Sequence, residues 1–130
     1  MTTTYCYRPD MLSYKLFGSG LNSITVEAMK DVASALSATG TGASDAYEVT
    51  SAKNAFSTVA SGTGAILDSS ASAGDSQVIY NGGANALRVY PPSGAQINAL
   101  GSDQPALLAP RTACEFFCLT TTLWTGVLSA

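Results

Sequence analysis

The side chains able to do chemistry are three cysteines and nine carboxylates, in a chain of 130 residues without a histidine. Cys114 and Cys118 stand four apart in Ala113-Cys-Glu-Phe-Phe-Cys-Leu119, a run of strand-forming residues. On an extended strand that spacing is about 13 Å, far beyond the roughly 7 Å that a disulfide spans. With Cys6 as the third, the cysteines cannot all pair within one chain. Cys114 and Cys118 therefore read as buried thiols on the face they share with Phe116. A zinc site would need a carboxylate to complete its four ligands, so no metal is expected.

The missing histidine removes the commonest general base and the commonest metal ligand together, which closes Ser-His and Cys-His mechanisms. Asp10, Glu27, Asp31, Asp45, Glu48, Asp68, Asp75, Asp103 and Glu115 are scattered. A glycosidase would need two of them to converge about 5–9 Å apart in a cleft, and nothing in their spacing requires that. The loop from Asp68 to Asp75 offers oxygen ligands but too few acids for calcium, and reads as solvated. Gly62-Thr63-Gly64 and Gly82-Gly83 lack both the spacing of a phosphate loop and its strand-to-helix setting, so they read as turn glycines. No enzymatic activity and no cofactor are expected.

The elements that position these groups are mostly short strands. Tyr47–Thr50, Ala55–Ala60, Ala65–Leu67, Gln77–Tyr80, Ala86–Tyr90, Gln96–Leu100, Ala106–Leu108, Thr112–Thr120 and Leu123–Leu128 are β-prone runs, most of them separated by Gly, Ser, Asn, Asp or Pro. Such spacing predicts a mainly β protein, a compact antiparallel sandwich or closed barrel with a β-domain over 45–130. Asn81-Gly-Gly-Ala-Asn85 between two of the runs predicts a hairpin, and Pro91-Pro92-Ser93-Gly94 ends its second strand. One short helix is expected over Thr25–Ala38, with Thr25 as N-cap, Val26, Met29, Ala33 and Leu36 at helical spacing, and Gly40 beyond its end. A strand over Ser23–Val26 with a shorter helix after it is the competing reading. No internal repeat of fixed period is visible. Residues 1–44 then make an extended N-terminal arm plus the helix. The arm carries Tyr5, Tyr7, Tyr14 and Phe17, aromatics suited to an edge strand or to docking on a neighbour.

Only 12% of residues are charged while 46% are hydrophobic, and twelve are glycine. Roughly a quarter of an ordinary globular chain is charged, so the exterior is either the neutral, polar surface of an Ala-, Ser- and Thr-rich domain or, the reading preferred, buried against other chains. The net charge of −3 and six scattered cations argue against nucleic acid as a partner. No apolar run long enough to span a bilayer occurs, and the opening Met-Thr-Thr-Thr-Tyr-Cys lacks a secretory signal's basic and apolar regions, which predicts synthesis in a cytoplasm. Trp124, Tyr80, Tyr90, Phe116 and Phe117 read as core or interface anchors before they read as a sugar-stacking platform. Arg88 and Arg111, the charges inside or beside the strongest strands, are candidates for inter-subunit ion pairs with Asp103 or Glu115, or else for solvated positions.

The segment Val78-Ile-Tyr-Asn-Gly-Gly-Ala-Asn-Ala-Leu-Arg-Val-Tyr-Pro-Pro-Ser-Gly-Ala-Gln-Ile-Asn98, with Pro110-Arg-Thr-Ala-Cys-Glu-Phe116 and Leu123-Trp124 after it, resembles small tailed-bacteriophage virion proteins of the capsid decoration, or cement, type. The resemblance covers about residues 45–130. It implies a structural protein on the outer surface of a capsid, made in the bacterial host cytoplasm, whose partners are the major capsid protein and further copies of itself, as a homotrimer. Its contact residues would be Tyr5, Tyr7, Tyr14 and Phe17 on the arm, with Arg88 and Arg111 on the body. The alternative is a tail-fibre or host-recognition module binding a cell-surface glycan, for which Trp124 and the tyrosines are the motive.

Overall fold

The computed structural model describes residues 31–128. The short predicted runs form strands, and up to β9 those that follow one another along the chain lie in different sheets. β1 (Val32–Ser37), β3 (Lys53–Thr58), β5 (Ser76–Asn81), β7 (Gln96–Ile97), β9 (Thr112–Thr120) and β10 (Leu123–Leu128) build a six-stranded sheet in the order β1-β3-β5-β9-β10-β7. β2 (Tyr47–Glu48), β4 (Gly64–Ile66), β6 (Leu87–Tyr90) and β8 (Ala106–Leu108) build a four-stranded one in the order β2-β4-β6-β8. From β1 to β8 the chain alternates between the two sheets. As far as β6 each return sets a strand parallel to the one before in its sheet, as β1 to β3, β3 to β5, β2 to β4 and β4 to β6.

This is a β-solenoid-like coil, and it corrects the expected antiparallel sandwich or barrel. Antiparallel pairing enters only late among the described strands, between β5 and β9, β9 and β10, and β6 and β8. The hairpin expected across Asn81–Asn85 is corrected too: β5 and β6 are the predicted strands, but they lie in different sheets and do not pair. Turn-rich sequence at that point makes a corner of the coil. The coils are unequal, which explains why no period is readable. Partners are 21 residues apart between Val32 and Lys53, 25 between Lys53 and Val78, and 18 between Tyr47 and Ala65.

Where it is described, the expected helix is a strand, β1, irregular at Ala35, whose φ is +57°. Its apolar stripe was narrow, and pairing with β3 gives the backbone partners that Ser34 and Ser37 compete for in a helix. The β unit therefore begins at Val32. The remainder of that helix, the arm with Tyr5, Tyr7, Tyr14 and Phe17, and Cys6 lie outside the described residues.

The core fills the gap between the sheets. From the large sheet Phe56, Ile79, Phe116 and Trp124 point inward, and from the small sheet Leu87, Val89 and Leu108, with Val49 and Leu67 at the strand ends. Strand alternation enforces this: in β9, Cys114, Phe116 and Cys118 face in while Glu115, Phe117 and Leu119 face out. Both thiols are free and buried, as expected. Burial pushes the Cys114 and Cys118 thiols above the ordinary range, with the negative charges of Glu115 and Asp75 acting in the same direction. The unfolded thiols ionise near pH ~8.5. The stability from keeping them neutral is thus intact below that pH and is lost as pH rises through the folded values. Alkylation of the native protein at pH 8 is expected to be more than about 100-fold slower at Cys114 and Cys118 than in denaturant, because attack waits on opening of the sheet; peptide mass spectrometry reads the rates.

Candidate functional site

The outer face of the six-stranded sheet carries the site. Period-two alternation turns one set of side chains inward and leaves the other in rows across the strands. One row runs Val32, Lys53, Val78, Glu115 and Val127 over β1, β3, β5, β9 and β10, each residue registered opposite the next. The adjoining row is Ala55, Tyr80 and Ala113. Phe117 and Leu119 extend the surface along β9. Val32 is 56% exposed, Tyr80 39%, Leu119 51% and Val127 60%. The face is largely apolar along these rows, with Lys53 and Glu115 as its charges and Ser57, Ser76 and Thr125 as further polar side chains, and exposed apolar patches of this kind mark candidate interaction surfaces.

At the Tyr80 end the face dips into a shallow depression of about 310 Å³, lined by Ala35, Ala55, Phe56, Ser57, Tyr80, Gly82 and Arg111. Arg111 sits in the turn before β9 with φ +63° and donates through one terminal nitrogen to the carbonyl oxygens of Gly82 and Gly83, at 2.7 and 3.0 Å. That contact fixes the guanidinium at the rim. Arg88 is elsewhere, exposed on the outer face of the four-stranded sheet between Gly64 and Leu107. The two arginines are therefore on different sheets and make no joint site. Asp103 accepts from the backbone N–H of Gly94 at 2.7 Å, and Glu115 belongs to the row described above.

What holds the face rigid is a set of buried amides that the sequence reading passed over. Asn81 is fully buried; its side-chain nitrogen donates to the carbonyls of Asn85 and Leu108, and its oxygen accepts from Gly83 N–H. Gln77 donates to the carbonyls of Val49 and Ser51 and accepts from Asp68 N–H, and Asn54 donates to those of Ser51 and Val78. At a corner the chain leaves one sheet for the other, so backbone groups there have no ladder partner, and an amide offers both donor and acceptor. Gly83 is required by space, since a Cβ there would lie 2.7 Å from Val59 Cβ. The signals are visible in the sequence: Asn81 and the glycines after it read as turn composition and Gln77 as the start of a strand, and none reads as a tie between backbones.

The remaining candidates resolve into structure. Asp68 and Asp75 accept from Ser70 and Ser72 N–H, and Glu48 from Ser69, so these carboxylates hold a loop. Among the described residues no group of three His, Cys, Asp or Glu side chains is placed to hold a metal. Trp124, Tyr90 and Phe116 are buried, which takes Trp124 out of any stacking platform; Tyr80 and the half-buried Phe117 face outward. No helix among the described residues is long and apolar enough to cross a membrane. No family model, no curated protein and no solved structure matches the chain. The likeness to phage decoration proteins thus rests on the residues quoted for it.

Proposed function

We propose that this protein is a structural, fastening component of a bacteriophage head, a decoration protein that lies on the outside of the capsid and ties neighbouring subunits together. The observation that carries the reading is the apolar outer face of the six-stranded sheet, with Val32, Tyr80, Leu119 and Val127 exposed in a chain only 12% charged. A decoration protein needs contact area spread over several neighbours, so that modest contacts add up to long residence. A stiff coil tied at its corners by buried amides suits that task, because a covering that flexes transmits little of the restraint.

In this proposal the β unit supplies self-association, and the segment with Tyr5, Tyr7, Tyr14 and Phe17 reaches the major capsid protein, with Arg88 and Arg111 as further contacts. Deleting residues 2–17 is expected to leave a folded, still self-associating protein that no longer co-sediments with empty capsids. Retained binding by the truncated protein would overturn the role of the arm. The whole reading fails if the full chain neither co-sediments with capsids nor raises their disruption temperature.

A further inference from the structure

We infer that two copies of this chain pair face to face through the outer face of the six-stranded sheet, about a two-fold axis that runs parallel to the strands through Val78. The row across the sheet reads Val32, Lys53, Val78, Glu115, Val127 in spatial order. It is symmetric in shape about Val78 and antisymmetric in charge. The neighbouring row, Ala55, Tyr80, Ala113, is symmetric about Tyr80. An isologous contact requires a patch that complements itself when turned over.

Two in-plane axes can lay one such sheet on another, and the charges choose between them. An axis along the row sets Lys53 over Lys53 and Glu115 over Glu115, which repels. An axis along the strands sets Lys53 of each copy over Glu115 of the other and valine over valine, while Tyr80 meets Tyr80 at the axis. Within one copy Lys53 and Glu115 are separated by β5, about 10 Å at the spacing of adjacent strands. Packed sheets also lie about 10 Å apart, a gap that a lysine and a glutamate reaching toward each other close. Five strands by about three side-chain rows give roughly 500 Å² per copy, near the lower bound for a specific interface, so the expected dissociation constant is micromolar. A three-fold ring needs two different patches; the two rows that match themselves make pairs, with the row Ser76, Phe117 and Thr125 lying to one side of them.

The pairing does not depend on where the protein works, so its test is separate from capsid binding. Sedimentation equilibrium of the full chain is expected to show a species of twice the 13.3 kDa chain mass. Lys53→Glu and Glu115→Lys each place like charges at both symmetry-related contacts and are expected to weaken pairing at least about 30-fold. The double exchange K53E/E115K restores opposite charges and is expected to restore pairing to within about threefold. Circular dichroism checks folding, and Lys53→Ala and Glu115→Ala, milder at exposed strand positions, are expected to weaken pairing about 5–10-fold should a reversed charge perturb the sheet. The inference is overturned by a monomer at about 100 µM, where a micromolar pair is formed. A dimer or larger species indifferent to the exchanges, or a double exchange that fails to rescue, overturns it equally.

Discussion

Replacing Asn81 by leucine is expected to destabilise the β unit by about 3–5 kcal/mol, lowering the melting temperature by the order of 20 °C. The leucine fills the volume and supplies none of the bonds. Three backbone groups lose their partner: the Gly83 N–H and the Leu108 carbonyl in buried bonds, and the Asn85 carbonyl in a part-buried one. Each buried orphan costs about 1–3 kcal/mol. Asn81→Asp separates the parts: it keeps an acceptor for Gly83 but turns an oxygen toward two carbonyls and buries a charge, so its loss at pH 7 is expected to equal or exceed that of leucine. A shift below about 1 kcal/mol for either variant in urea denaturation would show that the corner is held by packing instead.

Trp124→Ala is expected to cost about 3–5 kcal/mol, enough to remove most of the stability of a domain this size. The indole is the largest fully buried side chain, 1% exposed, and β10 places it between β9 and β7. Trp124→Phe is expected to cost only about 1–2 kcal/mol. The reason is specific to this site: the indole N–H is buried without a hydrogen-bond partner, so deleting it recovers part of the penalty of the smaller ring. Equal losses for alanine and phenylalanine in thermal melts would mean that the nitrogen is satisfied in solution.

From Tyr47 onward strand positions were legible because they depend on neighbours in sequence, whereas β1 lay inside the stretch expected to be a helix. Ala106–Leu108, Thr112–Thr120 and Leu123–Leu128 coincide with the strands observed, and the inward set Cys114, Phe116 and Cys118 follows from alternation alone. Pairing was not legible. A corner and a hairpin draw on the same glycines and asparagines, and what separates them is whether the next strand returns to the same sheet, which in Asn81–Asn85 is decided by bonds from Asn81 to Leu108 and from Asn85 to Val59, 27 and 26 residues away. Unequal coils hid the repeat that would have betrayed the solenoid. The charge-poor composition gave only the expectation of a covered surface; the face proposed for it needed the register that aligns Lys53, Val78 and Glu115 across three strands.

The last of the described strands is not at the rim of its sheet: β10 lies between β9 and β7, parallel to β7 and antiparallel to β9. During synthesis β7 leaves the ribosome well ahead of the strand it must bond to, and it waits with open backbone groups until β10 arrives. A chain lacking β10 leaves β7 without its partner and Trp124's place in the core empty, a loss that by itself removes most of the stability. Such a product leaves a border of its sheet unpaired, the kind of open strand edge on which chains associate non-specifically.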